Sequence, residues 1–326
     1  MMPLNPATGA AVFAAAMLLA APACTAQNYP TKPVRVIVPF AAGGGLDIVL
    51  RPLLQKMSES LHQQFVIDIR AGANGIIGTE IGAKAPADGY TLIGGTTGSI
   101  TINPSVYPKL PFDAARDLVA VSNVGATSFV MVVHPSLNAH NVREFIALAK
   151  RHPGELTYGS PGIGGTNHLA AEYFLQQTGT RMVHVPYKGS QPLIADLVGG
   201  HVIMGFDSMM ATMPQVRAGR LRAMGVAAPK RSPVAPEVPT LAEAGGPSLT
   251  IGSWYGLFAP AGTPREILNK LHAEITKALA IPELRERYQS TGLEPIGSNS
   301  EQFAAEVRDD TARWAKVART ANVRAE

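Results

Sequence analysis

The sequence predicts an α/β protein of two lobes, each a mainly parallel sheet flanked by helices. Short β-branched runs alternate with longer helical patterns from Val34 onward. The length of 326 residues exceeds the roughly 250 to 300 at which single cores stop growing. No internal repeat or low-complexity linker divides the chain, so crossing strands are expected to join the lobes. Only 16% of residues are charged, against about 25% in ordinary chains, which argues against disorder, a long coiled coil or a charge-laced nucleic-acid binder.

Residues 1–26 contain no Asp, Glu, Lys or Arg, and Ala10 to Ala21 form an almost unbroken apolar run. The run is shorter than the about 20 residues a membrane span needs and suits the apolar region of a signal peptide. Small residues at Ala21, Ala23 and Ala26 offer cleavage after Ala23 or Ala26, and cleavage before Cys24 offers a lipid anchor there. With one cysteine, an intrachain disulfide and a Cys-rich zinc site are excluded.

Val34 to Val38 reads as a buried strand and Ile48 to Leu61 as a helix with Val49, Leu53, Leu54 and Met57 at helical spacing. Tyr90 to Ile93 and Val202 to Phe206 read as further strands. Asn141 with Glu144, and Thr263-Pro264 with Glu266, have capping-box spacing, and the first of these helices stops at Pro153-Gly154. Phe303, Val307, Trp314 and Val317 mark a C-terminal helix.

Five turns are placed after strands and before helices: Pro39 to Asp47, Gly94 to Ser99, Gly159 to His168, Pro186 to Ser190, and Phe206 to Ser208. Strand ends of an open parallel sheet converge on one crevice, where helix-start amides favour carboxylate or phosphate. Asp47, in the first turn of its helix, is read as a partner of the helix dipole. Asp207, at a strand end, needs a polar partner and remains open as a ligand contact. Phosphate-loop and dinucleotide signatures are absent, Tyr158 to Gly162 misses the G-x-S-x-G pattern at its first position, and no H-E-x-x-H occurs. His134 and His184 are read as structural and His168 as a cleft-wall or packing residue rather than a base. No cofactor, metal or nucleophile–base pair is indicated.

At these turns the chain resembles the Bug family, the extracytoplasmic solute-binding proteins of tripartite tricarboxylate transporters. The resemblance is carried by Pro39-Phe40 with Gly43-Gly44-Gly45 and Asp47, by Ala87 to Leu92, His184 to Gly189, Phe206-Asp207, Lys230 to Pro233, Val238 to Thr240 and Ala259 to Pro264. It implies a two-lobe periplasmic binding-protein fold closing on a small organic acid that a permease then receives. Lobe 1 would comprise residues 27–128 plus 226–326, and lobe 2 residues 129–225. Carried over by position, Phe40, Ala41, Ala42, Gly43 and Gly44 with Thr96, Thr97 and Ser99 would hold one end of the ligand. Ser160, Gly164, Thr166 and His168 would face it from the other lobe, with Asp207 nearby. Leu46 stands where the family commonly has Thr or Ser, which would remove a hydroxyl beside the cleft. Arg70-Ala71-Gly72-Ala73-Asn74-Gly75 departs from the usual Arg-Pro-Gly-Ala-Gly-Gly. The alternatives are presentation of the ligand to a sensor kinase and an exported hydrolase or isomerase.

Overall fold

The computed structural model describes residues 29–324; the expected signal segment 1–26, its cleavage sites and Cys24 lie outside the described residues. The first unit holds β1 (Val34–Val38), α1 (Gly45–Leu61), β2 (Phe65–Ile69), α2 (Ile76–Ala83), β3 (Thr91–Thr96), a wide helical segment Thr97–Ile102, and the short helices α3 (Asn103–Val106) and α4 (Ala114–Asp117). A long strand, β4 (Leu118–Val133), leads into the second unit of α5 (Val142–Arg151), β5 (Thr157–Ser160), α6 (Thr166–Thr178), β6 (Val183–Pro186), α7 (Ser190–Val198), β7 (Met204–Ser208), α8 (Met209–Arg217) and β8 (Arg222–Val226). The chain returns through β9 (Gly252–Pro260) to α9 (Arg265–Leu279), α10 (Pro282–Ser290), β10 (Glu294–Pro295) and α11 (Ser300–Thr320).

The strands follow the order β2-β1-β3-β9-β4-β7-β5-β6, with β8 and β10 also paired to β4. β1 is parallel to β2 and β3, and β5 is parallel to β6 and β7. β4 joins these halves by pairing with β9 over Leu118–Ser128 and with β7 over Phe129–Val133. Its side chains therefore enter separate cores: Val121 and Val124 pack with Leu50, Leu53 and Leu271, whereas Phe129, Met131 and Val133 pack with Phe145, Phe174 and Phe206. This places the ends of β1 and β3 opposite those of β5, β6 and β7, the crevice geometry expected of parallel strand ends.

The packing differs from the expected division in three places. Ile102 and Val106, in the segment that follows β3, pack in the second core. Ala227, Leu241, Leu249 and Ile251 join the second core, and α11 contributes Phe303 to a first-unit cluster but Trp314 and Ala318 to the second core. Local expectations are also corrected. Gly94 and Gly95 lie in β3, where a Cβ would stand 2.7 Å from Leu50 and 2.6 Å from Phe258, so close packing rather than a turn requires them. Asp207 lies within β7, because that strand begins at Met204 and extends to Ser208. Asn141 caps α5 by accepting the Glu144 N–H at 2.9 Å, but Thr263 donates its hydroxyl to the Pro260 carbonyl at 2.7 Å, leaving Pro264 at the N-cap of α9. Leu46 is buried in the first core beside Gly94, so its departure alters core packing rather than the cleft lining.

Candidate ligand-binding cleft

Two turns, one from each unit, are built to the same plan. In the β1–α1 turn Gly43 takes φ +75°, Gly44 is the N-cap with φ −73° and ψ 167°, and the Gly43 N–H donates to Asp47 Oδ2 at 2.9 Å. In the β5–α6 turn Gly164 takes φ +75°, Gly165 is the N-cap with φ −74° and ψ 166°, and the Gly164 N–H donates to His168 Nδ1 at 3.0 Å. The left-handed φ favours glycine at the first position. A side chain four residues later then fixes the turn by accepting its amide.

The two turns differ in charge. Asp47 is buried and its other oxygen accepts from Arg51 at 2.6 Å, so a carboxylate already offsets the dipole at the start of α1. The Gly44 N–H is also used, donating to Ala41 O at 3.2 Å. Ala41 and Ala42 are exposed. In α6 no acidic residue occupies the first turn and no side chain caps the helix, so its positive end is uncompensated.

Three successive residues of the second-unit turn approach Asn74 and the segment after β3, whose Val106 packs in the second core. A Cβ on Gly164 would stand 2.5 Å from Val106 Cγ1, one on Gly165 would stand 3.6 Å from Asn74 Oδ1, and one on Gly98 would stand 3.4 Å from Thr166 Oγ1. Around the same junction, a Cβ on Gly75 would meet Ser99 at 3.0 Å and the Phe40 ring at 3.1 Å. Phe40, Thr96, Ser99, Gly164 and Thr166 therefore gather where the units meet. Thr96 and Ser99 cap each other's backbone in a reciprocal box, with the Ser99 N–H donating to Thr96 Oγ1 at 3.2 Å. Thr97 differs: its hydroxyl accepts the Trp254 N–H at 3.1 Å, directing the side chain to β9. It lines a separate concavity of about 840 Å³ together with Ser128, Gly252, Trp254 and Arg313.

Behind the α6 turn stands a column of rings. His168 stacks on His184 at 3.9 Å between centroids, and His184 stacks on Tyr158 at 4.8 Å. The Tyr158 hydroxyl donates to Glu172. Burial lowers both imidazole pKa values, His168 to about 3 with a further contribution from His184, and His184 to about 4. Because His168 Nδ1 accepts the Gly164 amide, its proton resides on Nε2. Ser160, fully buried, donates its hydroxyl to Gly162 O at 2.9 Å. Ser160 Oγ also lies 2.7 Å from His184 Nε2, so the hydroxyl joins the β5–α6 turn to the ring column.

Asp207, the penultimate residue of β7, is buried, with Oδ1 accepting the Ser208 N–H at 2.7 Å and Oδ2 without a hydrogen-bond partner among the described residues. Burial raises its pKa, opposed by Ser208, Ser190 and Asn167. The neighbouring Tyr255 phenol is also pushed up, first by burial and then by Asp207. A Cβ on Gly45 would stand 2.7 Å from the Tyr255 hydroxyl, which links Asp207 to the α1 start. Sequence reasoning missed Asn74, Tyr255 and the role of His184. The first carries a signal in its departure from glycine; the other two depend on strand pairing.

The family profile of the tripartite tricarboxylate transporter receptor, TctC, matches residues 49–323. Protein BugT of Bordetella pertussis is 37% identical over 309 residues, covering 94% of both chains. The structure of R. palustris Rpa4515 with adipate superposes with a TM-score of 0.87 at 38% identity, covering 91% of this chain and 99% of that one. MatC from Rhodopseudomonas palustris with bound malate gives a TM-score of 0.83 at 31% identity, covering 89% and 99%. The two-lobe architecture, the paired glycine turns and these relationships agree: the chain belongs to the TctC family of tripartite tricarboxylate transporter receptors, the Bug proteins, and has the periplasmic binding-protein fold.

Proposed function

We propose that this chain captures a small organic acid between its two units and delivers it, chemically unchanged, to the permease of a tripartite transporter. The observation that carries this reading is the meeting of the uncompensated α6 start with Asn74 and Gly98 of the first unit. Such a junction encloses an anion against free helix amides. The adipate and malate in the two R. palustris relatives support a dicarboxylate as the first probe.

One carboxylate is assigned to the N–H groups at Gly165, Thr166 and Asn167. The remainder lies towards Phe40, Ala41, Ala42, Thr96 and Ser99, with Asp207 at the floor. The units separate by bending at the β4 and β9 crossings, with residues 227–251 moving with the second unit. The uncharged, apolar N-terminal 26 residues support export to the periplasm, with Cys24 as a candidate lipid site. Among the described residues no helix is long and apolar enough to cross a membrane.

A thermal-shift screen of dicarboxylates on the mature chain tests the reading. Ligand at a hundred times Kd adds about 2.7 kcal/mol, so a binder raises the melting temperature measurably. Mass spectrometry after prolonged incubation should recover the same acid. A converted product overturns the reading.

A further inference from the structure

Asp207 carries an acceptor that nothing in the protein fills. The residue is 3% exposed, its Oδ1 takes the Ser208 N–H, and its Oδ2 has no hydrogen-bond partner among the described residues. No basic side chain acts on the carboxyl. A buried carboxylate in this state is costly, because it has lost water without gaining a donor. The polar groups around it leave Oδ2 open. Asn167 Nδ2 donates to Phe206 O at 2.9 Å, and the Tyr255 phenol is engaged with Ser208. Ser190 and Asn167 favour the charged form from nearby, yet neither closes a bond on Oδ2. These neighbours place the open oxygen in the cleft. Asn167 and Ser190 stand in the first turns of α6 and α7, and the Tyr255 hydroxyl would stand 2.7 Å from a Cβ on Gly45, the first residue of α1. Asn167 also ties the two sites together: its N–H is among those assigned to the acid's carboxylate, and its side chain is bonded to the residue before Asp207. The span of one residue therefore separates that carboxylate from Oδ2, which is the reach of a substituent on the adjoining carbon.

We propose that Asp207 selects the acid: the ligand carries a hydrogen-bond donor, a hydroxyl or an ammonium, on the carbon next to the carboxylate held at α6, and Asp207 Oδ2 receives it. The inference rests on the acid-capture reading above and narrows its ligand to diacids with an α-hydroxyl or α-amino group. A plain diacid sets a methylene against Oδ2 and leaves the oxygen unfilled. Handedness follows as well. With both carboxylates fixed, one enantiomer directs its donor to β7 and the other directs it away.

The experiment is calorimetric titration at neutral pH of the mature chain and of Asp207→Asn. Succinate, malate and aspartate form a matched series that differs only in the donor: none, hydroxyl or ammonium. Adipate and α-aminoadipate repeat the comparison on a longer chain. The parent should bind one enantiomer of malate or aspartate about tenfold or more tightly than succinate, and the mirror image about as weakly as succinate. The tighter of malate and aspartate identifies the donor. In Asp207→Asn, Oδ1 keeps the Ser208 N–H while an NH2 group replaces Oδ2, so donor would face donor. Succinate affinity should then stay within about threefold of the parent, and the preferences for donor and for enantiomer should both vanish. A merely structural Asp207 would change every acid alike.

The parent series decides the matter even if the variant does not fold. A plain diacid that binds as tightly as its substituted partners in both series, or more tightly, overturns the selection and leaves acid capture standing. An Asp207 that carried a proton would give that second result, since its hydroxyl would donate to a carboxylate oxygen. A donor preference that survives in Asp207→Asn also overturns the assignment. If the parent binds no member of either series, the capture reading itself falls and the selection falls with it.

Discussion

The β1–α1 and β5–α6 turns share a backbone and differ in what they leave for a ligand. Both place a glycine at φ +75° and tie its amide to the side chain four residues on. At the first turn that side chain is Asp47, already paired with Arg51; at the second it is a neutral imidazole held by stacking. A carboxylate and a neutral ring serve equally as acceptors, but only the carboxylate competes with an incoming anion for the helix dipole. Similar glycine turns are therefore not equivalent anion sites. The second turn has the free positive end, and the first contributes shape and the exposed Ala41 and Ala42 backbone.

The sharpest contrast is between two glycines with identical φ. Gly164→Ala adds a methyl 2.5 Å from Val106 Cγ1, whereas Gly43→Ala adds one with nothing within 4 Å. Both incur left-handed strain of about 1 to 2 kcal/mol; Gly164→Ala also pushes the α6 turn away from Val106 and so displaces the amides assigned to the acid. Adipate affinity should fall by about a hundredfold or more for Gly164→Ala and by about tenfold or less for Gly43→Ala, as measured by calorimetry. Equal losses would erase the distinction between the turns.

The next effect is on acid stability. His168 and His184 have folded pKa values of about 3 and about 4, below their ordinary 6.5. Between those values and 6.5 the unfolded chain binds more protons, so stability falls as pH falls through this window and is fully present above it. Replacing both by Gln should flatten the decline in melting temperature between about pH 6.5 and 4. Asp47→Asn should leave the contribution of the imidazoles intact. An undiminished decline in the double variant would move the acid sensitivity elsewhere.

A smaller effect is expected at Asp207. An asparagine there cannot be charged yet keeps an acceptor for the Ser208 N–H, so Asp207→Asn should leave adipate affinity within about threefold, or tighten it through lost repulsion. Malate, with its hydroxyl donor, should be weakened relative to adipate. Parallel titrations that show the same change for both acids would remove Asp207 from ligand discrimination.

Much of this was legible in the sequence. The strand at Val34 to Val38, the Asn141 cap and the clustering of glycine turns at strand ends follow from local rules, and the structure has them. The twin plan was harder to see, because Asp47 and His168 are different residue types performing the same bond. Their shared spacing, four residues beyond the first glycine of each pair, is the signal that sequence carries. The ring column was not readable: Tyr158 and His184 become neighbours only through the register of β5 on β6. Gly94 and Gly95 misled because close packing inside a strand and turning both select glycine.

The difference between the two turns matters for binding only if the acid's carboxylate is held at the α6 start. Calorimetric titration of adipate into Asp47→Asn and His168→Asp decides this, since each variant keeps an acceptor for its turn and changes one charge. A negative charge introduced at the free helix end costs about 1 to 2 kcal/mol. His168→Asp should therefore bind about five- to thirtyfold more weakly than the parent, and Asp47→Asn should bind within about twofold of it. The opposite pattern, with His168→Asp unaffected and Asp47→Asn several-fold tighter, would place the carboxylate at α1 and contradict the assignment.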